Sequence, residues 1–285
     1  MQKNLKKQNT AVLIFAKVPE PGFVKTRLSQ SSCLTEVDAS KIAWAMLKDT
    51  ISLALESDAD RIDIGLAFLP SDIQTKSKMK KIEKMKEIID SIGNTGFSSI
   101  NFFIQSGNNF DERFGSVVKE SFDTGVNNLV ILGADLPILD PNLINKAIKL
   151  LKEINEDANR KRIVLGPASG GGIYLVGIKR NFKPEWFSEY KLFTGGIEIL
   201  QFTRFCDEKD IHLLLLPPLS DIDIEEDLVS LITYIESMRS AERYEGYHFP
   251  WYTAEMIDEL EIGIAERSDE NRKRRIGKGK REVMD

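Results

Sequence analysis

The loop after the first apolar run of the chain carries cations suited to holding phosphate groups. Residues 17–28 read KVPEPGFVKTRL, a turn with two prolines and a glycine followed by a Lys-Thr-Arg sequence. Ammonium, guanidinium and backbone N–H groups are the donors that bind polyphosphates. The segment is not a P-loop, because that motif's first glycine and its Gly-Lys pair are absent. A solvated surface turn is the structural alternative. The predicted phosphate-binding residues are Lys17, Gly22, Lys25, Thr26 and Arg27.

Carboxylates follow two later apolar runs. Asp135 comes just after LVILG (129–133), and Asp221 and Asp223 follow HLLLLP (212–217). Carboxylate oxygens are ligands for hard cations such as Mg²⁺, so Asp135 and Asp223 are the predicted metal ligands and Asp221 is a further candidate acid. Asp135 could instead cap its own loop. The acids at 225–227 lie at a predicted helix start, where the helix dipole favours negative charge and gives them a structural explanation.

Small residues make up two further segments, GPASGGGIY (166–174) and the Thr194-Gly195 pair. Glycines let a backbone approach a ligand closely, although a flexible loop is an equally simple interpretation. The first segment is neither a dinucleotide-binding motif nor a serine-hydrolase elbow, and Ser169 has no recognisable base partner. The residues of these two segments that are predicted to contact a ligand are Ser169, Gly170, Gly171, Gly172, Thr194 and Gly195.

Alternating strands and helices are predicted to position these segments. Apolar runs predict strands at 11–16, 62–68, 101–105, 129–133, 162–166, 172–178 and 212–217. Helical spacing predicts helices at 35–55, with Thr35 as its cap, and at 74–92, 111–123, 141–154, 195–205 and 224–239. This alternation predicts an α/β fold with a doubly wound, mainly parallel sheet. In such sheets ligands bind beyond the carboxyl ends of the strands, where the loops described above begin.

Composition narrows the class of protein. The chain has 285 residues, 42% hydrophobic and 29% charged, which excludes collagen-like and wholly disordered classes. The whole chain carries a net charge of −5 and residues 272–281 include seven Lys or Arg, so the remainder carries −12. An acidic body argues against a nucleic-acid-binding domain. Two cysteines, no membrane-length apolar run and no apolar signal region predict a cytoplasmic protein without membrane contact.

The same patterns predict the domain organisation. An N-terminal extension over 1–10 precedes an α/β domain over 11–240. A helical appendix is expected over 241–266, followed by a basic, disordered tail over 267–285.

The order of these motifs resembles a known family. The segments FAKVPEPGFVKTRL, GNNFDERF, VILGADLPIL, VLGPASGGGIYLVGI and LSDIDIEEDL occur in that order over about residues 11–235. They resemble small bacterial and archaeal glycosyltransferase-like proteins of the arsenosugar-biosynthesis or radical-SAM-associated type, which have the GT-A fold of nucleotide-diphospho-sugar transferases. The chain is more distantly similar to 2-phospho-L-lactate guanylyltransferase.

The resemblance implies a metal-dependent transferase that uses an activated nucleotide. Lys25 and Arg27 would bind the nucleotide phosphates, while Asp135 and Asp223 would hold Mg²⁺ or Mn²⁺. The expected partners are a nucleotide or nucleotide sugar and a small-molecule acceptor. Glycosyl transfer is the first expectation, and nucleotidyl transfer and nucleotide binding without turnover are the alternatives.

The chain also departs from the family pattern. Gly170 stands where the family has Asp, Ile173 replaces a Tyr, and residues 193–195 read Phe-Thr-Gly where the family has Trp-Ser-Thr. The acidic segment 111–113 matches a family motif and is expected to be a structural helix start. Candidates for the general base are Asp221 and Glu198.

Overall fold

The computed structural model describes residues 9–72, 76–92, 100–153, 161–265 and 275–279. Within these ranges all seven predicted strands are confirmed, with small shifts at their ends. Residues 1–8 of the predicted extension and most of the predicted tail lie outside the described residues. The strands are β1 (Thr10–Lys17), β2 (Arg61–Ala67), β3 (Ile100–Ile104), β4 (Asn128–Gly133), β5 (Arg162–Pro167), β6 (Ile173–Lys179) and β7 (His212–Leu215).

The predicted helices are also present. Thr35 caps the first long helix as predicted, because its hydroxyl accepts from Asp38 N at 3.2 Å and its own N–H donates to Asp38 Oδ2 at 2.8 Å. The helix predicted over 195–205 begins later, at Glu198, so Thr194 and Gly195 lie in the preceding loop. The helices are α1 (Thr26–Ser31), α2 (Glu36–Leu55), α3 (Lys76–Ile92), α4 (Phe110–Asp123), α5 (Pro141–Lys152), α6 (Trp186–Glu189), α7 (Glu198–Glu208), α8 (Glu225–Ser240) and α9 (Trp251–Glu259).

The strands form one seven-stranded sheet in the order β3-β2-β1-β4-β6-β5-β7. Parallel pairs join β1 to β4, β2 to β3 and β5 to β7, whereas β6 runs antiparallel to both β4 and β5. The predicted α/β fold with a mainly parallel sheet is therefore confirmed. Phe15 of β1 lies opposite Gly133 of β4, so the loops that follow these two strands begin side by side.

Both faces of the central strands of the sheet are buried. Ala11 and Leu13 of β1 belong to an apolar cluster with residues of α4 and α7, such as Val117 and Phe202. The intervening residues of β1 are equally buried, and α5 packs against β4, β5 and β6. Burial on both faces explains why the strands read as continuous apolar runs rather than alternating ones.

The chain folds into two compact units, which differs from the single domain predicted over 11–240. Unit 1 consists of Met1–Ala16, Ala54–Gly133 and Pro141–Leu219 and contains the sheet. Unit 2 consists of Lys17–Leu53, Ala134–Asp140 and Ser220–Asp285. The prediction missed this division because each unit is assembled from separate stretches of chain, and composition does not change where the chain passes between them.

Unit 2 has an apolar core of its own. Leu28 of α1, Met46 of α2, Leu231 of α8 and Ile257 of α9 are almost fully buried in one cluster. The predicted helical appendix over 241–266 is thus part of this core through α9, and it ends in a short strand, β8 (Ile262–Ile264).

The predicted disorder of the tail is wrong for residues 275–279. A strand, β9 (Ile276–Lys278), pairs antiparallel with β8, and Ile276 is 4% exposed. Lys278 Nζ donates to Asp38 Oδ2 at 2.6 Å. Burial alone would raise the pKa of Asp38, but hydrogen bonds from Lys278 and Thr35 lower that pKa to about 2. A lone isoleucine among many cations left no apolar period from which this strand could be predicted.

No helix in the described part of the chain combines the length and hydrophobicity that a membrane span requires.

Candidate functional site

The cationic loop of unit 2 is a tight turn that leads into α1. Phe23 N donates to Glu20 O at 3.1 Å, and Gly22 adopts φ 72°, where a side chain would be strained. Lys25 precedes α1 with φ 47° and ψ 37°, the left-handed conformation that costs a non-glycine residue roughly 1–2 kcal/mol. Local strain of this kind persists only where surrounding contacts hold it in place.

The contacts that hold Lys25 come from two distant segments. Lys25 Nζ donates to Asp135 Oδ2 at 3.3 Å and to the backbone oxygen of Ile222, and its side chain is only 10% exposed. Ile222 N in turn donates to Asp135 O at 3.0 Å. Three separate stretches of unit 2 therefore meet at the Lys25 ammonium group.

The other predicted ligands lie in the same unit. Arg27 Nη1 donates to Asp223 Oδ2 at 2.7 Å, with 74% of the Arg27 side chain and 38% of the Asp223 side chain exposed. Burial raises the pKa of Asp221, and the nearby carboxylates of Asp135 and Asp223 raise it further. The structure thus brings together two cations and three acids, which we call the Lys25 cluster: Lys25, Arg27, Asp135, Asp221 and Asp223.

The remaining phosphate-binding candidates of unit 2 are turned toward their own loop. Lys17 Nζ donates to Phe23 O at 3.4 Å and lies 5.0 Å from the centroid of the Phe23 ring. A Cβ atom on Gly22 would lie 3.1 Å from Glu36 Oε2, so this position has little room for a side chain. Thr26 is the first residue of α1. Lys17 and Gly22 therefore support the turn that carries Lys25.

The acids that open α8 have structural partners, in agreement with their predicted role. Asp227 Oδ2 accepts from both Asp223 N and Ile224 N at 2.9 Å. Glu225 is 6% exposed and accepts from Ile276 N at 3.0 Å. Asp227 therefore fixes the backbone of Asp223, which orients that side chain for its own contacts.

The carboxylate oxygens of the Lys25 cluster suit a hard divalent cation whose remaining ligands come from phosphate groups and water. Among the described residues there is no group of three or more His, Cys, Asp or Glu side chains arranged to hold a metal ion. Mg²⁺, however, is usually held by one or two carboxylates, with water and substrate phosphates completing the shell. Asp135 and Asp223 meet that requirement chemically, since both offer oxygen atoms in one cluster.

The glycine-rich segment of unit 1 forms a single exposed turn of 3₁₀ helix, Ser169–Gly171. Ala168 N donates to Gly172 O at 2.8 Å, which closes the turn. Gly171 has φ 88°, and a Cβ atom there would lie 2.4 Å from Ile197 Cγ2. Glycine at 171 is therefore required by the turn itself, which gives the segment a structural explanation beside the predicted ligand contact.

Asp111 fixes the loop that contains Thr194 and Gly195. Its carboxylate is 1% exposed and accepts from Phe193 N at 2.8 Å, Thr194 N at 3.2 Å and Thr194 Oγ1 at 2.5 Å. Asn109, not Asp111, caps α4 by accepting from Glu112 N. Segment 111–113 was predicted to be only a helix start, so the contact to Thr194 was missed. No local signal identifies a partner 83 residues away.

Gln105 is a second residue that the sequence interpretation missed. It is 9% exposed at the end of β3, where its Nε2 donates to Ala16 O at 2.8 Å and to Gly65 O at 2.9 Å. The amide group therefore ties the carboxyl ends of β1 and β2 to β3. A polar residue at the end of an apolar run, such as NFFIQ, was the available signal.

The α/β fold of this chain is shared with solved structures from other bacteria. A protein from Desulfovibrio desulfuricans named as a candidate nucleotide-diphospho-sugar transferase matches with a TM-score of 0.66 and 24% identity. That match covers 88% of this chain and 94% of the other. The resemblance read from the motifs is thereby confirmed at the level of the fold.

Two further solved structures share the fold at lower identity. A cytidylyltransferase from Leptospira borgpetersenii has a TM-score of 0.50 and 14% identity, with 88% of this chain and 94% of the other covered. A 4-diphosphocytidyl-2C-methyl-D-erythritol synthase from Anaerococcus prevotii has a TM-score of 0.51 and 12% identity, with 80% and 96% covered.

At the level of sequence, residues 58–192 match the model of a family described as an uncharacterized protein conserved in bacteria (DUF2064). No curated protein matches the chain.

Proposed function

We propose that the chain is a transferase that uses an activated nucleotide together with Mg²⁺ or Mn²⁺. The observation that carries this proposal is the Lys25 cluster, in which two cations and three aspartates meet in one unit. Lys25 and Arg27 would bind the phosphates of the nucleotide, and Asp135 and Asp223 would hold the metal ion. A divalent cation at that position supplies electrostatic stabilisation of the charge on a leaving phosphate group.

Glycosyl transfer from a nucleotide sugar is the reaction we place first. The fold match to the candidate nucleotide-diphospho-sugar transferase, with a TM-score of 0.66, supports this choice. In that reaction the bond between the sugar and the diphosphate breaks, the acceptor oxygen bonds to the sugar, and a base takes the acceptor proton. Lys25 and Arg27 would stabilise the departing nucleoside diphosphate. Asp221 and Glu198 are the candidate bases.

Nucleotidyl transfer is the second candidate, and the fold shared with the cytidylyltransferase and the 4-diphosphocytidyl-2C-methyl-D-erythritol synthase supports it. Here an acceptor phosphate attacks the α-phosphorus of a nucleoside triphosphate, and diphosphate leaves. The same cluster would neutralise the leaving group. Only the product therefore separates the two reactions.

The first experiment is a thermal-shift panel of nucleoside triphosphates and nucleotide sugars, each with and without Mg²⁺ or Mn²⁺. A ligand that binds only the folded state stabilises it by RT ln(1 + [L]/Kd), where [L] is the free ligand concentration, and so raises the melting temperature. Ligands that bind are then incubated with the protein and candidate acceptors. Release of nucleoside diphosphate supports glycosyl transfer, and release of diphosphate supports nucleotidyl transfer. Metal-dependent binding with no product from any donor would favour the nucleotide-binding alternative.

A substitution tests the assignment of the metal. Asp135→Asn should abolish the metal-dependent part of the thermal shift, because an amide oxygen is a much weaker ligand than a carboxylate. Glu226→Gln is the matched control, since Glu226 is an exposed acid of the same unit, in the acidic segment that contains Asp223. An unchanged metal-dependent shift in Asp135→Asn would remove Asp135 from the metal site.

A further inference from the structure

Both carboxylates of the proposed metal site already hold a cation of the chain. Asp135 Oδ2 lies 3.3 Å from Lys25 Nζ, and Asp223 Oδ2 lies 2.7 Å from Arg27 Nη1. Lys25 and Arg27 are also the side chains proposed to bind phosphate. One pair of cations therefore has two alternative sets of partners, the aspartates of the free protein and the phosphates of a ligand.

A divalent cation alone meets an unfavourable site in this arrangement. It must bind a carboxylate that already holds the ammonium group of Lys25, and two positive charges at such short distances repel each other. It gains only two carboxylate side chains, because the described residues contain no group of three possible metal ligands. Mg²⁺ and Mn²⁺ would then depend on further oxygens from outside the protein.

A diphosphate alone meets the complementary difficulty. Its charge would approach the negatively charged carboxylates of Asp135 and Asp223, and Asp221 lies two residues before Asp223. The two cations that would attract it are engaged in ion pairs. Each ligand by itself therefore meets groups of its own charge, the metal ion at Lys25 and Arg27 and the diphosphate at the aspartates.

We propose that the divalent cation and the diphosphate of the nucleotide enter this site together, through an exchange in which Lys25 and Arg27 move from Asp135 and Asp223 to the phosphates. This inference rests on the proposed function of the Lys25 cluster. The exchange makes the binding of the two ligands mutually dependent. The phosphates become the new partners of Lys25 and Arg27, and the metal ion becomes the new partner of Asp135 and Asp223. A lysine on a flexible four-carbon stem is suited to such a change of partner.

The two pairs contribute unequally to this dependence. The Lys25 side chain is 10% exposed and also donates to Ile222 O, whereas the Arg27 side chain is 74% exposed. Exposed ion pairs are weak because water and salt screen them. Lys25 is therefore the main barrier to binding of the metal ion alone.

The test measures binding of Mn²⁺ alone, by the electron paramagnetic resonance signal of the free ion. Lys25→Met should bind Mn²⁺ about tenfold more tightly than the wild-type protein, and Arg27→Met no more than about threefold more tightly. Lys41→Met is the matched control, since it removes one positive charge and the Lys41–Glu259 ion pair from the same unit. It should leave the affinity for Mn²⁺ unchanged.

The same variants are then titrated with inorganic diphosphate, in the presence of a chelator, by calorimetry. Lys25→Met should weaken diphosphate binding at least as strongly as it strengthens Mn²⁺ binding. A variant that had simply lost its fold would bind both ligands more weakly, so it could not produce these opposite changes in affinity. In the wild-type protein, Mg²⁺ and diphosphate added together should raise the melting temperature by more than the sum of their separate effects. This measurement needs no variant to fold.

Two results would overturn the exchange. One is a wild-type protein that binds Mn²⁺ as tightly as Lys25→Met does, and the other is additive thermal shifts from Mg²⁺ and diphosphate. Either result would leave a nucleotide-using transferase possible if the product assay succeeds. Failure of both Mn²⁺ and diphosphate to bind any variant would instead remove the proposed function and the exchange together.

Discussion

Asp111 of unit 1 and Asp135 of unit 2 are both held by hydrogen bonds, but the charges of their partners differ. Asp111 is 1% exposed and accepts from two backbone N–H groups and a hydroxyl group. The Asp135 side chain is 35% exposed and pairs with the ammonium group of Lys25. Backbone donors cannot leave without disrupting their loop, whereas a lysine side chain can move to another anion. The comparison separates a structural carboxylate from one that is free to exchange its partner.

Unit 2 contains a close counterpart of Asp111. Asp49 of α2 is 1% exposed and accepts from Tyr252 N at 3.0 Å, Thr253 N at 2.8 Å and Thr253 Oγ1 at 2.6 Å. In both units a buried aspartate thus binds two successive N–H groups and the hydroxyl of a threonine. Neutral donors fix the backbone in both places, whereas the carboxylates of Asp135 and Asp223 pair with cations.

The largest expected effect is that of Asp111→Ala. The change leaves two N–H groups and one hydroxyl group without their acceptor in a buried place, which should lower the free energy of unfolding by about 3 kcal/mol. Chemical denaturation measures the difference. Asp123→Ala on the same helix is the control, because its side chain is 61% exposed and its ion pair with Lys119 contributes little. Equal effects of the two substitutions would contradict the structural role of Asp111.

Lys25→Met should have a smaller effect on stability, a decrease of about 2 kcal/mol, because Asp135 and Ile222 O lose a charged donor. The loss is limited because Asp135 is partly exposed and water can replace the ammonium group. Denaturation with and without saturating Mg²⁺ and diphosphate tests this view. If Lys25 only supported the fold, the decrease would be the same in both conditions.

The buried carboxyl group of Asp49 should make the stability of the protein depend on pH. Burial raises the pKa of Asp49 to about 6 in the folded protein, against 3.8 for an ordinary aspartate. The folded state therefore binds the proton more tightly, and this contribution to stability is full below pH 3.8 and is lost as the pH rises through about 6.

Between pH 7 and pH 5 the wild-type protein should accordingly gain about 1 kcal/mol relative to Asp49→Asn, whose side chain does not titrate. Asn keeps an acceptor oxygen at this position, so the variant should fold. Denaturation curves at the two pH values give the difference. Parallel behaviour of the two proteins would show that Asp49 is ionised as readily as an exposed aspartate.

The smallest expected effect is that of Arg27→Met. Because its ion pair with Asp223 is largely exposed, stability should change by no more than about 0.5 kcal/mol. Calorimetric titration with diphosphate should nevertheless show weaker binding. A loss of stability as large as that of Lys25→Met would remove the distinction between the two ion pairs.

The positions of the strands and most helices could be predicted from the sequence because they depend on local patterns. Residues such as those of LVILG are apolar without interruption, and a strand buried on both faces requires this. The structural roles of the acids at the start of α8 and of the Thr35 cap could also be predicted, because their hydrogen bonds are local. Asp227 binds Asp223 N four residues away, and Thr35 binds Asp38 N three residues away. The order of the motifs was enough to indicate the fold, because the fold requires those loops at those strand ends.

The tertiary structure alone decided which groups meet. Lys25 and Ile222 are 197 residues apart, and Asp111 and Thr194 are 83 residues apart. The strand at Ile276 forms because a single apolar side chain finds the core of unit 2, where Glu225 accepts its N–H group. Hydrophobic periodicity acts over a few residues, whereas the choice of a distant partner depends on how the elements pack. The types of residue in the Lys25 cluster were therefore readable from the chain, but their pairing was not.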